Sequence, residues 1–188
     1  MSLSPGRTIK AVLTGMAQVA CGQVRGIGQF SDTTRAILGS FAPGFGFLAG
    51  AIFEGLAEGN KAKAFANVPA SLCMLLAPSV LSFELARRWG RAGRWYRYIV
   101  AFNWCQWLLP IAGLLAINIV ALFAGPGTKA GGLAVLGALT AYALWINWFL
   151  VRHGLSLTTG RAILFVFAVN FGTAILMFVP LLLAGQIP

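Results

Sequence analysis

The sequence predicts an all-α polytopic membrane bundle: five transmembrane helices preceded by an N-terminal interfacial amphipathic helix, in a single membrane domain over 1–188. Three observations predict it. Of the 188 residues, 59% are hydrophobic and 10% charged, against roughly 45–50% and about 25% in a soluble domain. Five stretches supply the roughly 20 apolar residues that carry a helix across about 30 Å of hydrocarbon, where no backbone polar group can stay unpaired. The charges gather between those stretches. A water-soluble globule is excluded, because four acids cannot cover its surface, and the fourteen Lys and Arg leave a net charge of +10. In so apolar a chain, bases set membrane topology.

The first element is predicted over 8–24. Ile9, Val12, Leu13, Met16, Val19, Ala20 and Val24 recur at three- and four-residue spacing, with Lys10, Thr14, Gln18 and Gln23 on other faces. It is too short and too polar to span, so it lies in the interface, packs on the bundle, or does both. The spans follow at about 36–57, 64–86, 98–124, 132–151 and 162–184. Pro43, Pro69, Pro78, Pro110 and Pro180 punctuate four of them, and membrane helices tolerate such kinks when neighbours satisfy the freed carbonyls. In the first span Ala42, Gly46 and Gly50 repeat every fourth residue, a small-residue track for close helix packing.

Counting bases orients the chain. With the N-terminus in the cytoplasm, the inner side receives Arg7, Lys10, Arg25, Arg35, Arg87, Arg88, Arg91, Arg94, Arg97, Arg152 and Arg161, eleven in all, and the outer side only Lys61, Lys63 and Lys129. That asymmetry predicts a cytoplasmic N-terminus and an outer C-terminus. Arginine outnumbers lysine ten to four amid abundant Ala and Gly, a bias of GC-rich bacterial genomes, so the expected location is a bacterial inner membrane.

Catalytic signatures are missing from the sequence. Cys21, Cys73 and Cys105 form no CxxC pair, and His153 is the sole histidine, so zinc, haem and disulfide frameworks are not expected. Gln18 stands where a lipoprotein signal at Cys21 wants an aliphatic residue. The run Pro43-Gly-Phe-Gly-Phe-Leu-Ala-Gly50 lacks the strand and lysine of a nucleotide loop. Neither a cofactor nor enzymatic activity is expected.

Five polar side chains fall at similar depth in the cytoplasmic half. At about 1.5 Å per residue, Asn103 and Asn147 lie about 9 and 8 Å in from the flanking arginines, Gln106 and Asn170 about 14 Å, and Glu84 about 4 to 5 Å. Amides avoid lipid and seek partners. The cluster reads as interhelical glue, as a polar cavity open to the cytoplasm, or as a lipid head-group pocket. Asn103 and Asn147, on consecutive spans, are expected to bond directly or through one water. Glu84 precedes Arg88 by four residues, which also suits a helical ion pair. Between the second and third spans, Arg87, Arg88, Arg91, Arg94 and Arg97 interleave with Trp89, Trp95 and Tyr96. On a membrane-flanking loop these read as a topological anchor and a contact for anionic lipid, and nucleic acid is not an expected partner.

The layout resembles the Yip family, the Ypt/Rab-interacting five-span proteins, in its bacterial branch. The likeness rests on the interfacial N-terminal segment, the five spans entered from the cytoplasm, the basic turn Arg87-Arg-Trp-Gly-Arg-Ala-Gly-Arg94, and the stretch Tyr98-Ile-Val-Ala-Phe-Asn-Trp104. It covers nearly the whole chain in layout. The resemblance implies a non-enzymatic protein that organises membrane or partner proteins, and it transfers no functional residue. Eukaryotic members carry a long cytosolic N-terminal region that this chain lacks before its first span, so small-GTPase binding is not carried over. The alternatives are a small channel or transporter built on the polar cavity, and an accessory subunit of a larger membrane complex.

Overall fold

A computed structural model describes residues 5–57, 59, 68–124 and 128–183. Among them the chain is helical and without strands: α1 (Pro5–Ala20), a 3-10 turn (Val24–Gln29), α2 (Thr34–Ala57), α3 (Val68–Arg88), α4 (Ala92–Cys105), α5 (Leu108–Ala124), α6 (Lys129–Gly154) and α7 (Thr159–Leu183). Four helical stretches, Thr34–Ala57, Ala92–Phe123, Lys129–Gly154 and Thr159–Phe178, are long and apolar enough to cross a membrane. The fold is thus an all-α helical bundle of a membrane protein. The fifth expected segment is α3, whose 21 residues extend about 31 Å, with Glu84, Arg87 and Arg88 confined to its final turns. Lys61, Lys63 and the opening residues of the second expected span, 64–67, lie outside the described residues, as do Pro126 and the C-terminal residues 184–188.

The helices overrun the limits that hydropathy sets, because hydrogen bonding continues past the apolar stretch. The third span is the clearest case. It was expected to open at Tyr98, yet α4 begins at Ala92, so the arginine-rich segment is two helix ends and a tight turn rather than a loop. Gly90 makes that turn at φ +70°, a backbone state glycine adopts without a Cβ clash. The Arg91 N–H donates to the Ala86 carbonyl (2.7 Å) and the Gly90 N–H to that of Arg87 (3.0 Å), the paired bonds that close a helix C-terminus. Gly22, at φ +72°, ends α1 the same way, with the Gln23 N–H on the Gln18 carbonyl at 2.8 Å. The N-terminal helix therefore stops at Ala20 rather than running to residue 24.

Within the third span the helix is interrupted at Gln106 and Trp107. Pro110 is the cause: it has no N–H to offer, and its ring crowds the carbonyl four residues back, that of Gln106. The chain answers with tighter three-residue bonds, from the Trp107 N–H to Trp104 (3.1 Å) and from the Leu109 N–H to Gln106 (3.2 Å).

α4 is the hub, packed against α1, α2, α3 and α6, while α7 lies against α3 and α6, and α5 against α6. The core is lopsided. Tyr98, Ile99 and Val100 of α4, Leu150 and Val151 of α6, Ala162 and Phe165 of α7 and Ala86 of α3 are all buried, and all lie in the helix halves that end in arginines. At the opposite end Leu122, Phe123, Leu133, Leu136 and Phe178 are exposed. α1 completes the arginine end. Met16 and Val19 are buried with Ile27 and Phe30, whereas Ile9 and Leu13, on the adjacent stripe, are 62% and 60% exposed. One apolar face is docked on the bundle, the packing expected for this helix, and the adjacent stripe is turned outward.

The expected packing track faces away from the bundle. Ala42, Gly46 and Gly50 are exposed, and a Cβ on Gly46 or Gly50 would meet nothing within 4 Å. The inward face of α2 instead runs through Ile37, Ser40 and Gly55, which are buried, and through Gly44, where a Cβ would stand 2.5 Å from Leu75 Cδ1. Four-residue spacing marks a face of the helix and leaves open which way that face turns.

Candidate functional site

The five-residue polar cluster resolves into separate bonds. Asn103 Nδ2 donates to Ser40 Oγ at 2.9 Å, and Ser40 Oγ donates to the Ile37 carbonyl at 2.7 Å, tying α4 to α2. Gln106 Nε2 donates to Asn147 Oδ1 at 3.2 Å, tying the break after α4 to α6. Asn170 Nδ2 donates to the Val166 carbonyl of its own helix at 2.8 Å. The expected Asn103–Asn147 bond is replaced by these two pairs. Depth counting put both amides at one level, but Asn103 sits inside α4 and meets α2, while Gln106, about 60° further round the axis and at the break just past Cys105, meets α6.

Glu84 stands apart from the amides. Its carboxylate accepts from Arg87 at 2.7 Å and from Arg88 at 2.8 Å on its own helix. The other loop arginines are not equivalent. Arg97 Nη2 donates to Asp32 Oδ2 at 2.7 Å, clamping α4 to the segment that leads into α2. Arg91 and Arg94 have no ion pair among the described residues. Arg152 lies over the Trp148 ring, 5.1 Å from its centroid, in cation–π geometry.

Gln106, Asn147 and Asn170 line a cavity of about 830 Å³ between α2, α3, α4, α6 and α7, together with Ser71 and Thr173; the rest of its wall is apolar. At the arginine end it stops on Tyr98, Val151 and Phe165, which are 2%, 1% and 0% exposed. Toward the other end its lining includes Phe47, Met74 and Phe178, all exposed. The lining is thus buried at the arginine end and exposed toward the opposite end, which differs from the expected opening on the arginine side. Its volume falls in the range of small-molecule pockets, roughly 300–1,000 Å³. Its few inward amides fit an apolar or amphipathic guest better than an ion.

Two serines that the sequence does not mark form hydrogen bonds in the bundle. Ser40 serves Asn103, and Ser82 Oγ accepts from Trp95 Nε1 at 2.9 Å while donating to the Ser79 carbonyl at 3.1 Å. Their one sequence signal is a hydroxyl inside an apolar run. Among the described residues no three His, Cys, Asp or Glu side chains gather to hold a metal ion. Cys21, Cys73 and Cys105 are free thiols.

Because Asn103 and Asn147 belong to different bonds, their losses should add. Asn103→Leu and Asn147→Leu should each destabilise the bundle by about 0.6 to 2 kcal/mol, and the double variant by the sum to within about 0.5 kcal/mol. Unfolding titrations in lipid–detergent micelles measure this. A double variant no worse than either single one would restore the direct pair.

No family model, curated protein or solved structure matches the chain.

Proposed function

We propose that this is a non-enzymatic membrane protein of Yip type, set in a bacterial inner membrane with its arginine end in the cytoplasm, where it organises membrane or partner proteins on anionic lipid. The observation that carries the reading is the coincidence of charge and rigidity. The arginines cap the half of the bundle that holds the buried core, with Tyr98, Leu150 and Phe165 at 2%, 0% and 0% exposure. A packed base presents fixed cations to a leaflet that attracts each by about 1 kcal/mol, while the opposite half offers exposed apolar helix faces to lipid or to neighbouring proteins.

Two measurements test it together. With the native cysteines replaced, a cysteine at Ser156 should label from the cytoplasm and one at Gly127 from outside; the reverse pattern overturns the orientation. Replacing Arg91, Arg94 and Arg97 by Gln should cut co-purified anionic lipid severalfold in native mass spectra without inverting the protein. Unchanged lipid would leave these arginines as a topological anchor only.

The cavity favours a second reading, a small transporter or channel for an apolar or amphipathic solute, with the Gln106–Asn147 pair as its polar contact. Solute flux into liposomes that Gln106→Leu abolishes would place it first. Stable co-purification with larger subunits in mild detergent would instead mark the chain as an accessory subunit.

A further inference from the structure

The arginine end holds a second concavity, separate from the amide cavity. It measures about 370 Å³ and lies where three segments remote in sequence meet: the 3-10 turn with the residues after it, the first turns of α4, and the turn between α6 and α7. Its lining charges are the cations Arg94 and Arg97 and one acid, Asp32; His153 also lines it, and burial with the nearby Arg152 favours its neutral ring, which still offers an N–H donor. Asp32 engages only Nη2 of Arg97, which leaves further N–H donors on that guanidinium, and Arg94 has no acid partner among the described residues. A guanidinium fork matches the oxygens of phosphate.

The walls leave room for such a group. Gly93 and Gly28 line the pocket, and a Cβ on either would meet nothing within 4 Å, so a ligand can approach the backbone closely there. Ser156, also in the lining, is the one non-glycine residue at positive φ among the described residues, at +51°. It closes α6, with the Leu157 N–H on the Arg152 carbonyl at 3.0 Å. A hydroxyl donor is therefore held at this rim, in a backbone state that glycine would adopt at less cost. The first turn of α4 holds no acid and Arg91 gives it no side-chain cap, so nothing on that helix offsets the field of the arginines.

We infer that this pocket is a binding site for a phosphate group, presented by the headgroup of an anionic lipid and gripped by Arg94 and Arg97, with His153 and Ser156 as further donors. The lipid source follows from position: Arg97 immediately precedes Tyr98, which opens the apolar part of the third span, so the pocket sits at headgroup level. Val24 and Ile27 supply an apolar wall on which the glycerol end of such a lipid can rest. The assignment builds on the reading that the arginine end meets anionic lipid, and it moves the contact from the whole arginine-rich turn to two of its five arginines. Arg87 and Arg88, already held by Glu84, take no part.

The test uses the full chain in neutral detergent at fixed salt, titrated with dihexanoyl phosphatidic acid, with the choline-capped dihexanoyl phosphatidylcholine, and with inorganic phosphate. The wild type should bind the phosphatidic acid at least tenfold more tightly than the choline lipid. Arg94→Gln/Arg97→Gln should weaken phosphatidic acid binding at least tenfold. Gly93→Leu, which adds a bulky side chain at the pocket wall with every charge in place, should do the same, and Arg87→Gln/Arg88→Gln should change it less than twofold. Competition by millimolar inorganic phosphate would make a free phosphate the natural ligand of the same site; its failure to compete marks the lipid. Equal losses at the two arginine pairs, or wild-type affinity in Gly93→Leu, overturn the pocket. The broader reading fails separately, if the wild type retains no anionic lipid from membranes.

Discussion

Gly26→Leu should release the N-terminal helix from the bundle and lower stability by about 3 kcal/mol, the upper end of overpacking costs. A Cβ at Gly26 would stand 2.8 Å from the Gly15 carbonyl oxygen and 3.0 Å from the Val19 amide nitrogen. Both are backbone atoms, so no rotamer change relieves the clash and α1 itself must move. Its movement uncovers the Val19, Met16, Ile27 and Phe30 contacts, which are buried at 0%, 7%, 6% and 2% exposure. Gly28 is the matched control, because a Cβ there meets nothing within 4 Å and Gly28→Leu should leave stability within about 0.5 kcal/mol, the usual range for open surface positions. Hydrogen exchange separates the outcomes. In Gly26→Leu the amides of α1 should lose protection while those of α6 and α7 keep theirs, and unchanged protection in α1 would refute the close crossing of α1 and the 3-10 turn at Gly15 and Gly26.

That crossing was invisible in the sequence for a reason that recurs across the molecule. Periodicity identified α1, α2, α6 and α7 to within a few residues, because an apolar run of span length has few alternatives to a helix in lipid. It could not say which way a helix face turns. Gly44 packs inward while Gly46 and Gly50 look out, although all three are glycines of one helix. Asn103 and Gln106 lie three residues apart and bond to different helices. Ser40 and Ser82 are illegible for the opposite reason: one hydroxyl in an apolar run gives no hint of its partner, and their partners lie 63 and 13 residues away. Charge was more legible. Glu84 and Arg88 announced their ion pair by spacing alone, whereas the Arg97–Asp32 clamp, 65 residues apart, required the fold.

Phe165→Ala should destabilise the bundle by about 3 kcal/mol, and it tests whether the buried layer at the arginine end both holds the fold and seals the amide cavity. Phe165 is fully buried, with its ring 5.9 Å from those of Trp89 and Tyr98. The unfolded reference within a membrane is lipid, as apolar as the core, so the water-transfer part of a core truncation largely vanishes. The void remains: removing roughly 100 Å³ at about 24 cal/mol per Å³ costs about 2.4 kcal/mol, and losing the two ring contacts adds about 0.5 kcal/mol or more. Phe171, on the same helix but 57% exposed, lacks such a void, so Phe171→Ala should change stability by less than about 0.5 kcal/mol. The cavity supplies a second readout. Phe165 forms part of its closed end, so in a background without native cysteines, Asn170→Cys should resist a membrane-impermeant thiol reagent applied from the arginine side and become reactive once Phe165→Ala is added. Labelling of Asn170→Cys with Phe165 in place would mean that the cavity already opens beneath the arginines, and the transporter reading would then gain the water path that the buried layer denies it.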